Sequence, residues 1–374
     1  MSYTALARRY RSTGFDDIVG QEPVARTLKA AIAADRVAHA YLFTGTRGVG
    51  KTTMARVFAK ALNSSGSPEV EQAIMTGQDT DVIEIDGASN NSVDDARELI
   101  AGSVYRPMRG EYKIYIIDEV HMLSTAAFNA LLKTMEEPPE HVKFILCTTE
   151  AQKVPPTIQS RCQRFDFRAI PMSVIADRLA FVVKNEKLKA DPELLSMVAR
   201  LGNGSMRDAL SIMDRLMASG EKKLTVELLE SLMGLAPREL VGKLIDAFAD
   251  GEPKPALDSA ADLLSTGTGP DQLLETLIER LRDLMVLCAC GPETTLVELT
   301  GDTRKEEVER AQRFDAAGLV HMIALCESVQ RSTRSSPNPR ALLDALVVRL
   351  SMTEKLADVT TLVRQLEGAS SGKG

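Results

Sequence analysis

The chain has 374 residues, enough for two or three domains with sizeable buried cores. Charged residues at 26% and hydrophobic ones at 44% exclude a disordered chain, and a net charge of −7 excludes indiscriminate coating of DNA. With no tryptophan and 4% aromatic residues, base-stacking platforms are disfavoured, so any nucleic-acid contact has to be a local patch or arise in an assembly.

Met1 to Arg9 carries no apolar signal core, and no apolar run approaches the ~20 residues of a membrane span. A cytoplasmic protein with no membrane partner is expected. The five cysteines, Cys147, Cys162, Cys288, Cys290 and Cys326, form no C-x-x-C pair, so neither a zinc knuckle nor a redox dithiol is indicated.

Residues 5–20 form an arm with three arginines ahead of a first amphipathic helix, roughly 21–35. Ala40-Tyr41-Leu42-Phe43 then reads as a short buried strand. It leads into Gly45-Thr46-Arg47-Gly48-Val49-Gly50-Lys51-Thr52, which fits the phosphate-loop pattern of glycine, four residues, then Gly-Lys-Thr. Glycines let the backbone curl with positive φ so that successive N–H groups face phosphate oxygens. Lys51 reaches the β- and γ-phosphates, and the Thr52 hydroxyl sits on Mg²⁺. A helix from Thr53 to Leu62 follows, and its N-terminus favours phosphate. Gly45, Thr46, Arg47, Gly48, Val49, Gly50, Lys51, Thr52 and Thr53 are therefore the candidate nucleotide-binding residues. With a nucleotide in view the arm has two readings, a solvated surface segment or a strap over the adenine.

Residues 63–80 read as a loop and a short helix. Asp81 to Asp86 alternates as a strand, Ser92-Val93-Asp94-Asp95 starts a helix running to about Tyr105, and Pro107 to Gly110 is a turn. Tyr112 to Glu119 is an apolar run ending in two acids, the pattern of a central parallel strand. Ligands bind at the carboxyl ends of such strands. Asp118 would hold the Mg²⁺ that Thr52 touches, and Glu119 would polarise the water attacking the γ-phosphate. The lone His121 reads as structural. A helix from about Ser124 to Met135 stops at Glu136-Glu137-Pro138-Pro139. Lys143 to Thr149 is another buried strand, whose terminal hydroxyls either bond the γ-phosphate or attacking water or merely cap the strand. Ser160-Arg161-Cys162 precedes a last strand around Arg164 to Phe167.

Beyond Ile170 no further strand is evident. Helices are expected over 171–188, from Asp191 (N-cap) to about Gly202, and from Gly204 to about Ala218. Arg207 in a first helical turn is unfavourable on dipole grounds, which suggests either a phosphate partner or a local pair with Asp208. Residues 222–367 read as helices broken near Gly234–Pro237, Gly251–Pro255, Gly267–Pro270, Gly291–Pro292 and Ser335–Pro339, the clearest being Gln272 to Cys290. This region shows no catalytic constellation and suits packing or oligomerisation.

The phosphate loop, Asp118-Glu119-Val120-His121-Met122-Leu123, Phe128 to Lys133, Glu136 to Pro139, Ser160-Arg161-Cys162 and Gly204 to Leu210 follow in order. Together they resemble the AAA+ clamp-loader ATPases, most closely the gamma/tau type of bacterial DNA polymerase III. The resemblance implies an α/β P-loop AAA+ domain, a parallel sheet flanked by helices, over 1–169. It implies a small helical lid over 170–220, an all-α collar over 221–367 and a flexible tail over 368–374. It casts Thr149 as the first sensor of the γ-phosphate and Arg207 as the second, from the lid. Arg161 is cast as the arginine finger that reaches the ATP of the adjacent subunit. It also favours the arm as a cover for adenine. The implied activity is ATP hydrolysis driving a hetero-pentameric clamp loader that opens a sliding clamp and places it on primed DNA. The implied cofactors are ATP and Mg²⁺. The family's four-cysteine zinc module is missing from residues 64–80, so zinc is not expected, and Ser12 stands where the family commonly has proline. Candidate DNA-phosphate contacts are Asn90-Asn91-Ser92, Arg97, Arg106 and Arg109. Two other readings stay open, a different AAA+ motor such as a branch-migration helicase subunit, and a nucleotide-binding subunit that hardly hydrolyses.

Overall fold

Side chains alternate across each strand, and in this chain the alternation sorts them into two separate cores. Strands β1 (Ala40–Thr44), β2 (Val82–Asp86), β3 (Lys113–Asp118), β4 (Val142–Thr148) and β5 (Gln163–Asp166) lie parallel in the order β2-β3-β4-β1-β5. Tyr41, Phe43, Ile114, Ile116, Ile145 and Cys147 face one side of this sheet. Their neighbours Leu42, Tyr115, Ile117, Phe144 and Leu146 face the other. Both faces are buried, which is why the strands read as continuous apolar runs. The computed structural model describes residues 4–64, 66–297, 299, 301–333 and 335–352, and the expected tail at 368–374 lies outside them.

Helices cover both faces. On the first side α1 (Glu22–Ala33) contributes Leu28, and α2 (Lys51–Asn63) contributes Met54 and Phe58. Phe58 meets Tyr41 edge-on at 4.8 Å between ring centroids. On the second side α3 (Val93–Ser103) brings Leu99, and α4 (Thr125–Glu136) brings Phe128 and Leu131. Ser92 and Asp95 form a reciprocal capping box at the start of α3, and Ser124 accepts the Ala127 N–H to cap α4. The sheet is thus the middle layer of three. Its register sets Thr44 beside Thr148 and Ile117 beside Leu146, so the carboxyl ends of β1, β3 and β4 emerge together.

Two expectations shift at their edges. The apolar face of α2 is legible from Met54 on, but the helix begins at Lys51, because Gly50 at φ 100° turns the chain directly into it. Asp191 makes no capping bond at the helix it precedes; its carboxylate pairs with Lys223 at 3.1 Å. A two-residue strand at Lys189–Ala190 and another at Lys223–Leu224 lie where none was expected, too short to show a period.

Three helices complete the first compact unit, residues 1–223: α5 (Met172–Asn185), α6 (Pro192–Leu201) and α7 (Met206–Ala218). The arm docks on them. Leu6 is fully buried, and its N–H donates to Asp214 at 2.9 Å. Tyr10 Oη donates to Glu186 at 2.5 Å, and Arg9 pairs with the same carboxylate at 2.8 Å.

The second unit, residues 224–374, has helices as its described elements beyond Leu224. It comprises α8 (Val226–Met233), α9 (Arg238–Ala249), α10 (Pro253–Ser265), α11 (Pro270–Cys290), α12 (Gly301–Ala311), α13 (Ala316–Thr333) and α14 (Pro339–Leu350). Proline opens α10, α11 and α14, where its missing N–H costs nothing. The expected break pattern lacks one boundary, between α12 and α13, where residues 312–315 carry neither glycine nor proline. At the centre, Glu307 is 1% exposed and binds Arg280 and, at 2.7 Å, Arg310, with Arg238 at 3.7 Å. Burial brings Arg280 down to about 10, against the pull of Glu307. Among the described residues no helix is long and apolar enough to cross a membrane.

Removing Glu307 would leave three guanidinium groups around an uncharged gap. Glu307→Ala is expected to destabilise the second unit by about 3–5 kcal/mol, the scale for breaking a buried ion pair. Urea unfolding of the whole chain measures this; a loss below about 1 kcal/mol would show that the cluster does not hold these helices.

Candidate active site

The loop after β1 closes back on its own lysine. Lys51 Nζ donates to the carbonyls of Gly45 at 2.8 Å and Thr46 at 2.9 Å, and the side chain is nearly out of water. Burial lowers the Lys51 pKa, with Glu119, Cys147 and Asp118 pulling the other way. The glycines are there for space as much as for curl. At Gly45, φ +144°, a Cβ would fall 2.4 Å from the Phe167 carbonyl oxygen. At Gly48, φ +78°, it would fall 1.8 Å from Ser205 Oγ. Val49 faces the core, so only its backbone is offered to a ligand.

Beside the loop lies a cavity of about 810 Å³. Arg47 through Thr53 line it, as do Asp118 and Glu119 from the end of β3 and Arg207 from the first turn of α7. Thr52 Oγ1 donates to Asp118 Oδ2 at 2.7 Å. Burial raises the Asp118 pKa, although bonds from Thr52 and from the Glu119 N–H oppose this. A hydroxyl and a half-buried carboxylate converging at that distance are hard oxygen donors, and this donor set fits Mg²⁺.

β3 ends at Asp118, one residue earlier than the apolar run suggests. Glu119 turns sharply at φ 46°, in the left-handed region a glutamate seldom occupies. Its Oε2 accepts the Thr149 N–H at 3.3 Å and the Thr149 hydroxyl at 3.0 Å. Thr149 thus joins the group through Glu119. Arg207 shows no ion pair with Asp208 among the described residues. Arg161 is not part of this cavity: it binds Glu136 at 2.5 Å and the Thr157 carbonyl at 2.6 Å.

The arm lines the cavity with Arg8, Tyr10, Arg11 and Ser12, so it is not merely a solvated segment. Arg11 is made less basic, first by burial and then by Arg56 nearby. Arg56 grips Glu84 through two bonds of 2.6 and 2.7 Å and the Met75 carbonyl at 2.6 Å, and it too lines the cavity. Sequence reading passed over Arg56, although a position four residues past Thr52 on a helix shares its face. His121, read from sequence as structural, has a ring only 7% exposed that lies 3.4 Å from Glu119 and 3.1 Å from the Thr148 hydroxyl. No periodicity marks it, because it sits in a single 3₁₀ turn, Val120–Met122. Away from this cavity, Arg97 pairs with Asp94 at 3.0 Å, and Arg109 reaches the Thr80 hydroxyl at 3.3 Å.

Residues 20–171 match the family model described as DNA polymerase III, delta subunit. Residues 174–222 match DNA polymerase III clamp loader subunit, ATPase lid domain, and 224–366 match DNA polymerase III subunits gamma and tau domain III. The chain is 39% identical over 381 residues to DNA polymerase III subunit tau of Bacillus subtilis, covering 98% of this chain and 67% of that one. It is 47% identical over 239 residues to DNA polymerase III subunit tau of Escherichia coli, covering 61% and 36% respectively. The chain therefore spans between about a third and two thirds of these relatives' lengths. Among solved structures, the Thermotoga maritima RuvB Holliday junction branch migration motor is similar at 19% identity and a TM-score of 0.47, covering 63% of this chain and 78% of that one.

The tight fit of Gly48 against Ser205 yields a prediction. Gly48→Ala is expected to weaken ATP binding at least tenfold, about 1.4 kcal/mol, because the new methyl group pushes the loop off Ser205. Adding Ser205→Gly should recover part of the loss. Titration with a fluorescent ATP analogue measures both; equal affinities for Gly48→Ala and the unaltered chain would refute the steric account.

Proposed function

The chain belongs to the gamma/tau family of DNA polymerase III clamp-loader subunits, and from that premise we propose that it is an ATP-hydrolysing motor subunit. Assembled with other clamp-loader subunits into a hetero-pentamer, it would open a sliding clamp and place it on primed DNA. The work would be done in the cytoplasm, where bacterial DNA lies. One observation carries the reading: a buried lysine, a hydroxyl–carboxylate pair and a second carboxylate meet around one cavity at the carboxyl ends of β1, β3 and β4.

In this reading the backbone N–H groups from Gly48 to Thr53 hold the phosphates, with Lys51 adding a charge that has no carboxylate bonded to it. Thr52 and Asp118 would hold Mg²⁺, which would supply positive charge to the phosphates. Glu119 orients the attacking water, and the Thr149 hydroxyl turns to the γ-phosphate. Arg207 reaches the same phosphate from the lid. The strap of residues 5–12 would cover the adenine. Arg161 serves the neighbouring subunit's ATP, so hydrolysis waits on assembly. The family membership and the intact Lys51, Thr52, Asp118 and Glu119 disfavour both a branch-migration subunit and an inert nucleotide-binding subunit. For DNA, Arg97, Arg106 and Arg109 remain candidate phosphate contacts. Substituting Arg97 and Arg109 should flatten the salt dependence of DNA binding by about one counterion each.

Two substitutions test the chemistry. Glu119→Gln is expected to keep ATP affinity within about threefold while turnover falls about 10² to 10³-fold. Turnover preserved in that variant would remove Glu119 as the group that positions water. Arg161→Ala is expected to leave ATP binding by the lone chain intact and to slow hydrolysis in the assembled complex about 10³-fold. Complexes that mix altered and unaltered subunits assign the defect; if the neighbour's turnover is normal, the role in trans is wrong.

A further inference from the structure

His121 stands between two acidic groups that belong to different parts of the proposed machinery. Nδ1 lies 3.4 Å from Glu119 Oε2 and 3.1 Å from Thr148 Oγ1. Nε2 lies 3.4 Å from Glu150 Oε1 on the opposite side of the ring. The imidazole is almost wholly enclosed: Thr148 Oγ1 stands at hydrogen-bond distance from Nδ1, and a carboxylate lies 3.4 Å from each nitrogen. Glu150 is the residue from which the Arg161 loop starts. Its carbonyl accepts the Lys153 N–H at 3.0 Å, and its carboxylate binds Lys153 Nζ at 2.8 Å. Gln159 ties the next turn back onto this one through the carbonyls of Ala151 at 3.0 Å and Val154 at 2.8 Å. Arg161 leaves the same short helix, Pro156–Gln159, and bonds the Thr157 carbonyl.

We infer that His121 is a positioning residue that joins the water-orienting carboxylate of one subunit to the loop offering Arg161 to the next. The enclosed ring fills the space between the two carboxylates, with Nδ1 beside Glu119 and Nε2 beside Glu150, so it fixes the position of one against the other. When the Thr149 hydroxyl turns from Glu119 to a γ-phosphate, it takes its single proton with it. The Thr149 N–H then remains bonded to that carboxylate, with the His121 ring packed beside it. A displacement of Glu119 on ATP binding is thereby felt at the base of the finger loop. The inference rests on the roles proposed above for Glu119 and Arg161.

Asparagine sets an amide nitrogen near the place of Nδ1 and glutamine near that of Nε2, so the two substitutions separate the two bonds. The complex is reassembled with its partner subunits, and single-turnover hydrolysis is read at two sites. One is the variant subunit's own site; the other is the unaltered neighbouring site that receives its Arg161. At its own site, His121→Ala is expected to lower the rate about tenfold with KM for ATP within about twofold. His121→Asn should recover the rate to within about threefold, and His121→Gln should not. At the neighbouring site the order reverses. His121→Gln should sustain turnover, while His121→Asn falls about threefold and Glu150→Ala falls equally. Glu150 is partly exposed, so Glu150→Ala tests the loop link even if a substitution at the enclosed His121 impairs folding.

Asparagine and glutamine variants that are indistinguishable at both sites would overturn the inference. So would a neighbouring site indifferent to Glu150→Ala. Glu119→Gln and Arg161→Ala serve as controls. If either keeps full turnover, the proposed role of that residue fails and this link falls with it. If both controls behave as expected and the His121 and Glu150 variants do not, the link alone is wrong.

Discussion

A lysine ammonium taken out of water and, among the described residues, hydrogen-bonded only to carbonyl oxygens governs this molecule. Lys51 is held by the loop it terminates, not by a carboxylate. The acids nearest to it are committed elsewhere, Asp118 to Thr52 and Glu119 to Thr149. Desolvating an ammonium is costly, and dipoles alone compensate it only in part. The deficit is a standing demand for anionic charge in the cavity beside it. Because the loop's glycines bring backbone close to Phe167 and Ser205, that demand is built into the chain path and does not depend on a rotamer. Phosphate chemistry follows from this imbalance before any family is considered.

The sheet decides what stands opposite the lysine. Parallel strands all end on the same side, and the register of β1, β3 and β4 delivers Thr44, Asp118 and Thr148 to one rim. That rim was legible from sequence because each strand is an apolar run closed by polar residues, and burial on both faces leaves no other reading of Ile114 to Ile117. The phosphate loop was legible for a similar reason, since glycine spacing reports backbone geometry directly. The helical second unit was legible wherever glycine and proline mark its breaks. It was not at residues 312–315, where ordinary residues make the turn.

What sequence could not show is how side chains divide their bonds. Asp191 stands where an N-cap belongs, yet its carboxylate goes to Lys223, because a long-range ion pair competes with a local cap. Glu119 looked like one more strand residue and instead turns at φ 46°, held by Thr149 just past the end of β4. His121 looked like an isolated histidine and proves to be enclosed between Glu119 and Glu150. Each outcome depends on which element folds against which, and one-dimensional spacing carries no record of that. Arg56 is the exception, since its place one turn beyond Thr52 was readable from helical period alone.

Arg161 shows how an idle group can be kept ready. In the single chain its guanidinium binds Glu136 and the Thr157 carbonyl, both partly exposed to water. A surface ion pair of that kind contributes only about 0–1 kcal/mol. In the role proposed for Arg161, surrendering this pair to reach a triphosphate in an adjoining subunit would cost little against the gain from stabilising transition-state charge. The opposite arrangement, a deeply buried pair like that of Arg280 with Glu307, would hold the cation too firmly to be lent. The chain uses both kinds. Enclosed arginines fix helices in the second unit, and a loosely tethered one precedes the edge strand β5, as the proposed role in trans would require.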